Sequence, residues 1–291
     1  LMKQDIKIIT GASGYIGKVL AKEFNKKKIK FVGIDKRPRN DKSTIKLDLK
    51  NKKKTSKFFK KINCNVIYHF GTYSAAAYKK DFNKCFKEDL ISLQNLLKSI
   101  EKKGNKIKII YMSSSYVYSG DKNKKKTGVN EKKIINPLHN FGFAKKFFEE
   151  YLTKYHSNCI IYRLSNVFGE GEFIRGNTIY NMAMEAKKRK IVTVWGKGNR
   201  KLQYIYISDL MKYLLLNKNF NGVFNLGGNE YIKISTLTKK ISYFFGSRVL
   251  FLKDKKEGET LSFMNTRKIK NITKNYFTKF DKNLIKYLGT F

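Results

Sequence analysis

Gly11, Gly14 and Gly17 follow an apolar run, Ile6–Thr10, and open an amphipathic stretch that begins at Tyr15. Glycine permits a tight turn and close approach of a ligand to the backbone, and the N–H groups of a following helix attract a pyrophosphate. Ser13, Tyr15 and Ile16 belong to the same turn and are expected to line it. Asp35 ends the next apolar run, 18 residues beyond Gly17. A carboxylate there accepts both hydroxyls of an adenosine ribose and repels a 2′-phosphate. The expected chemistry is dinucleotide binding, with NAD preferred. Lys36, Arg37 and Arg39 keep NADP as the alternative.

These residues need a sheet to hold them, and the chain supplies its pattern. Apolar β-type runs alternate with amphipathic helices, as in a parallel sheet covered on both faces. Strands are expected at Ile6–Thr10, Phe31–Ile34, Ile45–Leu47, Val66–Phe70, Ile107–Met112 and Ile160–Leu164. Helices are expected from Tyr15 to Lys27, over Phe82–Lys103 with Leu90, Leu93, Leu96, Leu97 and Ile100 on one face, and from Pro137 through Tyr155. Further on, Met182–Lys190 and Asp209–Leu216 read as helices, Tyr204–Ile207 and Val223–Leu226 as strands, and Lys122–Lys133 as a loop.

Composition narrows the class. The chain has 291 residues, 41% of them hydrophobic, enough for a substantial core. Its three cysteines, Cys64, Cys85 and Cys159, form no CxxC pair and suit a reducing compartment. No charged-then-apolar leader and no membrane-length apolar run is present, so a soluble, cytoplasmic protein is expected. The formal net charge of +41 invites a nucleic-acid reading, but 55 of the 63 basic residues are lysine, scattered over the chain. Nucleic-acid recognition favours the arginine fork, so a solvated surface is the preferred account. The three histidines share no ligand spacing with the cysteines, and no metal is expected.

Several motifs in order resemble the extended short-chain dehydrogenases of the NAD-dependent epimerase/dehydratase family, which remodel nucleotide sugars. The run from Thr10 to Gly17 resembles TGxxGxxG, and Asp48-Leu49 the pair that flanks the adenine. Tyr68-His69-Phe70-Gly71 stands at the turn after the fourth strand, where Phe70 would line the coenzyme. Met112 to Tyr118 resembles SSSxxVYG, and Arg163 to Gly169 resembles RxxNVYG. Gly196 to Asp209 and Phe224 to Gly228 resemble GxGxxxRDFxxVxD and YNxGG. The resemblance implies a doubly wound seven-stranded parallel Rossmann sheet of α/β class with a small C-terminal substrate-binding module. The expected division is 1–166 for the NAD-binding domain, its sheet completed by about 203–226, with 167–202 and 227–291 for the substrate module. It also implies a homodimer through a four-helix bundle built from the two long helices.

The family mechanism uses a YxxxK pair, in which lysine binds the nicotinamide ribose and tyrosine exchanges a proton with the sugar hydroxyl. Lys145 matches the lysine, but Phe141 occupies the tyrosine position. An engineered change that traps substrate, natural divergence with another proton carrier, and a retired enzyme kept as a binder each account for it. The resemblance gives Ser114 the role of holding the reacting hydroxyl, with Ser115 beside it. Tyr116 is the candidate proton carrier, against a pocket-lining aromatic; His139 is a candidate relay, against a capping role. Ser115-Tyr116 stands where dehydratases carry Asp-Glu, so dehydration is disfavoured.

On the substrate side, Asn166 keeps the family asparagine that approaches the substrate phosphate. The phosphate-gripping arginine and its aspartate fall on Leu202 and Gln203, and Arg200 is the candidate replacement. Asp89 replaces a helix asparagine. Trp195 is expected either to stack on a base or to anchor the core. The expected function is an NAD-dependent nucleotide-sugar epimerase or 4-ketoreductase of surface-polysaccharide synthesis; the alternative is a catalytically silent binder of NAD or a nucleotide sugar.

Overall fold

A computed structural model describes residues 6–38, 43–121, 128–171, 177–216 and 219–291. Arg39 and residues 122–127 of the expected loop lie outside the described residues. The chain divides into two compact units, residues 1–120, 135–163 and 217–224 in the first, and residues 121–134, 164–216 and 225–291 in the second.

In chain order the first unit contains β1 (Ile6–Thr10), α1 (Tyr15–Lys26), β2 (Phe31–Asp35), β3 (Thr44–Lys46), α2 (Lys52–Lys61) and β4 (Cys64–His69). Then come α3 (Ala75–Lys80), α4 (Phe82–Ile100), β5 (Lys108–Ser114), α5 (Asn140–Tyr155) and β6 (Cys159–Leu164). The remaining elements are β7 (Asn166–Phe168), α6 (Thr178–Arg189), β8 (Ile191–Trp195), β9 (Lys201–Tyr206), α7 (Ile207–Leu215) and β10 (Gly222–Leu226). They are followed by β11 (Tyr231–Lys233), α8 (Ile234–Phe245), β12 (Arg248–Leu252), α9 (Arg267–Thr273) and α10 (Phe280–Leu288).

The central sheet has seven strands in the order β10-β6-β5-β4-β1-β2-β3. β1 runs parallel to β2 and β4, β2 to β3, and β4 to β5. The strand order reverses between β1 and β4, which opens a crevice at the carboxyl ends of those strands, where doubly wound sheets bind ligands. Ile8, Ile67, Ile109 and Ile161, one from each of four central strands, are fully buried in a common core. Leu93, Leu96 and Ile100 of α4 pack onto it, as their helical spacing requires.

Where boundaries differ from expectation, local chemistry explains them. α4 ends at Ile100 and continues as a 3₁₀ turn, Glu101–Lys106, ahead of β5. α5 begins at Asn140, not Pro137, since its first turn must fit against the Ser115–Tyr118 3₁₀ turn. A Cβ at Gly142 would lie 2.4 Å from the Tyr116 carbonyl, so that contact demands glycine.

Of the stretch 203–226, Gly222–Leu226 joins the central sheet. β9 lies in a separate three-stranded sheet of order β11-β9-β7, antiparallel to β11 and parallel to β7. β8 pairs in parallel with β12. Phe168, Leu202, Tyr204, Ile241 and Leu284 belong to this unit's own core. Trp195 is 59% exposed at the end of β8, so it does not anchor that core. Its position as the last residue of a strand running into the Gly196 turn leaves the indole outside.

Candidate active site

The turn after β1 is as tight as the glycine spacing predicts. Gly11 has φ +67°, and a Cβ on it would meet Gly71 N at 2.7 Å. A Cβ on Gly17 would lie 2.4 Å from Gly11 O. α1 starts after Gly14 with no side-chain cap bond, whereas α2, α3, α4 and α6 are capped by Asn51, Ser74, Asp81 and Asn177, and no acidic residue stands in the first turn of α1. A helix start without a side-chain anion presents its positive end to an external phosphate. Ser13, Tyr15 and Ile16 lie at this start.

Asp35 is fixed at the end of β2. Its carboxylate accepts from Ser13 N at 3.2 Å and from Arg37 N at 2.9 Å. The Lys36 ammonium is engaged elsewhere, donating to the Tyr73 hydroxyl at 2.8 Å with Glu88 at 3.6 Å. Asp48 accepts from Lys50 N at 3.0 Å, and Leu49 is buried, its carbonyl accepting from Asn95 Nδ2 at 2.8 Å. Phe70 N donates to Thr10 O at 3.2 Å, which draws the turn after β4 against β1. The glycine cradle, uncapped helix and oriented carboxylate fit the pyrophosphate and adenosine ribose of a dinucleotide.

Deeper in the same unit, Lys145 is 3% exposed. Its ammonium donates to Thr72 Oγ1 at 3.1 Å, the Tyr111 hydroxyl at 3.1 Å and Met112 O at 2.9 Å. Burial pushes its pKa down to about 8, against the opposing pull of Asp89 and Glu149. His69 stacks on Tyr111 and bonds Thr10 Oγ1 through Nδ1 at 2.8 Å. Burial, with Lys145 nearby, drives its pKa down to about 3, so the ring is neutral.

Phe141 packs with its ring centroid 5.8 Å from Tyr116 and 5.6 Å from Tyr78, and Lys145 Nζ lies 5.5 Å from it. Tyr116 stands in the 3₁₀ turn capped by Ser114, whose Oγ accepts from Tyr116 N at 3.3 Å. Ser115 is buried in that turn. His139 is the cap residue of α5 without a side-chain cap bond, and its ring meets Tyr116 edge-on at 5.4 Å. Ser114, Tyr116, Phe141 and Lys145 therefore stand around one another within the first unit.

Two sets of partners escaped the sequence reading. Asp89, 5% exposed, accepts from Tyr73 N at 3.1 Å and from the Tyr78 hydroxyl at 2.8 Å. Burial raises its pKa to about 6, with Lys145 pulling the other way. Glu149, one turn beyond Lys145, pairs with Arg163 at 2.6 Å and accepts from the Ser113 hydroxyl, while Arg163 donates to the Tyr118 hydroxyl at 2.6 Å. The arginine at the head of the Arg163–Gly169 motif was a usable signal; it required a buried partner.

The second unit holds the remaining candidates. Asn166 Nδ2 donates to Gln203 O at 3.0 Å, bridging β7 and β9. Leu202 is fully buried in the core. Gln203 donates to Gly228 O at 2.6 Å and accepts from Met264 N at 2.9 Å. Arg200 is committed to the distant segment that carries Glu257 and Glu259. Its amide donates to Glu257 Oε2 at 2.7 Å and its Nε to Glu259 O at 2.7 Å. Glu257 also accepts from Lys197 N at 2.9 Å, and these backbone bonds hold its pKa down.

A family described as the NAD dependent epimerase/dehydratase family matches residues 7–227. The chain is 26% identical over 258 residues to the dTDP-4-dehydro-6-deoxyglucose reductase of Escherichia coli, covering 81% of this chain and 80% of that protein. Its structure resembles that of the UDP-glucose 4-epimerase of Thermotoga maritima with UDP-glucose, with TM-score 0.86, 20% identity and 98% and 97% of the two chains covered. It also resembles the UDP-glucose 4-epimerase of Thermus thermophilus complexed with NAD, with TM-score 0.84, 17% identity and 98% of each chain covered. With most of its length matched in sequence, the chain belongs to the NAD dependent epimerase/dehydratase family.

Proposed function

We propose that this chain is an NAD-dependent nucleotide-sugar epimerase or 4-ketoreductase of surface-polysaccharide synthesis, acting in the cytoplasm, in which Tyr116 takes the place of the missing phenol at Phe141. The observation that carries the reading is the Tyr116 ring. It packs on Phe141, one short turn from Ser114, and its hydroxyl has no hydrogen-bond partner among the described residues. Lys145 would hold the nicotinamide ribose, Ser114 would orient the reacting sugar hydroxyl, and Tyr116 would take and return its proton. NAD, when bound, supplies the hydride acceptor and donor. Asp35 would bind the adenosine ribose, the glycine turn the pyrophosphate, and Asp48 and Leu49 the adenine side, with Phe70 lining the coenzyme. Asn166 and Arg200 are the candidates for the substrate's anionic handle. Among the described residues, no helix is long and apolar enough to cross a membrane.

The same reading has the chain as a homodimer through α4 and α5. Their surface carries an aromatic ladder, Phe82–Phe86 at 5.4 Å, Phe86–Phe147 at 5.0 Å and Tyr151–Tyr155 at 4.6 Å between centroids, with Phe143 and Tyr155 exposed. Light scattering at the mass of two chains supports it, and a monomer removes it. The catalytic reading is tested by turnover of UDP- and dTDP-sugars in the chain and in Tyr116→Phe and Phe141→Tyr. Tyr116→Phe is expected to lower the rate by roughly 10²–10⁴, the usual worth of an acid–base group. Tyr116→Phe without effect would move the proton elsewhere. No turnover until Phe141→Tyr would favour the catalytically silent binder, whose ligand mass spectrometry of the purified protein would identify.

A further inference from the structure

We propose that Asp89 is the buried counter-charge of Lys145, a positioning residue that keeps the ammonium charged and aimed in a site whose 141 position carries no phenol. The target of that aim, the nicotinamide ribose, rests on the coenzyme reading above; the pairing of charges rests on the shared Thr72–Tyr73 segment and the common burial of the two groups. Thr72 and Tyr73 are consecutive residues. The Thr72 hydroxyl accepts from Lys145 Nζ at 3.1 Å, and the Tyr73 amide donates to the two Asp89 oxygens at 3.2 and 3.1 Å. Consecutive residues of one segment therefore contact the cation and the anion in turn. Asp89 is also tied to position 141, because the Tyr78 hydroxyl donates to it while the Tyr78 ring rests on Phe141.

The lysine needs such a partner. All three of its N–H bonds go to neutral oxygens, which orient an ammonium but do not balance its charge. The second carboxylate that acts on it, Glu149, is already committed to Arg163 through both of its oxygens. His69, facing Lys145 from β4, is neutral and supplies no charge. Around Asp89 itself stand Cys85 and Glu88 on its own helix, Tyr73, Tyr78 and Tyr111 from the packed elements, and Lys36 from the end of β2. Lys36 is turned to Glu88 and Tyr73, whereas Lys145 is buried with Asp89. Burial sets the two pKa values near 6 and 8, so both groups are charged in the interval between. At low local dielectric, opposite charges each favour the other's ionised form.

Asparagine at position 89 keeps an oxygen for Tyr73 N and the Tyr78 hydroxyl and loses the charge, so Asp89→Asn separates charge from hydrogen bonding. Urea titration of the ligand-free chain, Asp89→Asn, Lys145→Met and the double variant gives the coupling between the two side chains at pH 5 and at pH 7.5. The coupling is expected to be at least tenfold larger, as a folding equilibrium constant, at pH 7.5, where Asp89 is ionised. Equal coupling at both pH values overturns the proposal and leaves Asp89 a neutral acceptor. If Asp89→Asn does not fold, Lys145→Met decides alone. Without the ammonium, the stability decline caused by Asp89 ionisation must move at least one pH unit higher, and an unmoved decline overturns the proposal. In parallel, Asp89→Asn should lower the alkaline limb of NADH binding by one pH unit or more. Failure of the unaltered chain to bind NADH counts against the coenzyme reading, while the ligand-free coupling still decides the charge pairing.

Discussion

The two units treat their polar interiors differently. The first buries full charges, Lys145 among neutral oxygens, Asp89 on an amide and a phenol, and Glu149 against Arg163. The second buries the Asp209 carboxylate against Lys212 at 2.6 Å, but at the positions of the family's phosphate-gripping pair it carries neutral groups: Leu202 is core and Gln203 clasps Gly228 and Met264, while Arg200 is held by the segment of Glu257 and Glu259. Buried charge is costly unless it is paired, so it persists where chemistry or coenzyme binding requires it. On the proposed function, the chemistry lies on the coenzyme side, and Leu202 and Gln203 leave the substrate's anionic group to other residues.

The sharpest way to break this contrast is to remove a charge partner from the first unit. Glu149→Ala leaves the Arg163 guanidinium, 5% exposed, without its carboxylate. Breaking a buried pair by deleting one member costs about 3–5 kcal/mol. Urea denaturation is the measurement, and a loss below about 1 kcal/mol, the usual worth of an exposed pair, would mean that the network is solvated and the first unit is not charge-locked.

A smaller loss is expected from the neutral clasp of the second unit. Gln203→Leu strands the Met264 amide and the Gly228 carbonyl, which otherwise bond the carboxamide at 2.9 and 2.6 Å. Leaving buried backbone groups unsatisfied costs roughly 1–3 kcal/mol. A loss exceeding that of Glu149→Ala would reverse the ranking of the two units.

This division also marks what the sequence disclosed. The glycine turn, Asp35 and the alternating elements were legible because each depends on local spacing: glycines at a turn, a carboxylate at a strand end, apolar residues at helical period; Lys145 was legible only through the family resemblance. β9 was legible as a strand but not as a member of a separate sheet, because its partners, β7 and β11, are set by long-range pairing. Asp89 was visible as an unusual residue in a helix, yet its tie to Tyr73, Tyr78 and position 141 needs three elements folded together. Glu257 gave no signal at all, since its bonds to Lys197 and Arg200 join loops about 60 residues apart.

Asp89 and Glu257 give the comparison its finest test, because they respond to pH with opposite signs. The folded pKa of Asp89 is raised, from a usual value near 3.8 to about 6, so the folded state holds its proton more tightly than the unfolded state. Its contribution is greatest below the unfolded pKa and is lost as pH rises through about 6. Glu257 is depressed by the backbone N–H groups it accepts, so its contribution is present above the unfolded pKa and is lost as pH falls through the folded one. Asp89→Asn should therefore flatten a decline in stability between about pH 4 and 6, and Glu257→Gln should soften a decline on the acid side of that interval. Because Glu257 is half-buried and glutamine keeps one of its two acceptor oxygens, its substitution should cost about 1 kcal/mol at pH 7. Stability profiles with slopes of the same sign for both residues would show that buried charge and loop anion are not distinct, and would remove the contrast between the units.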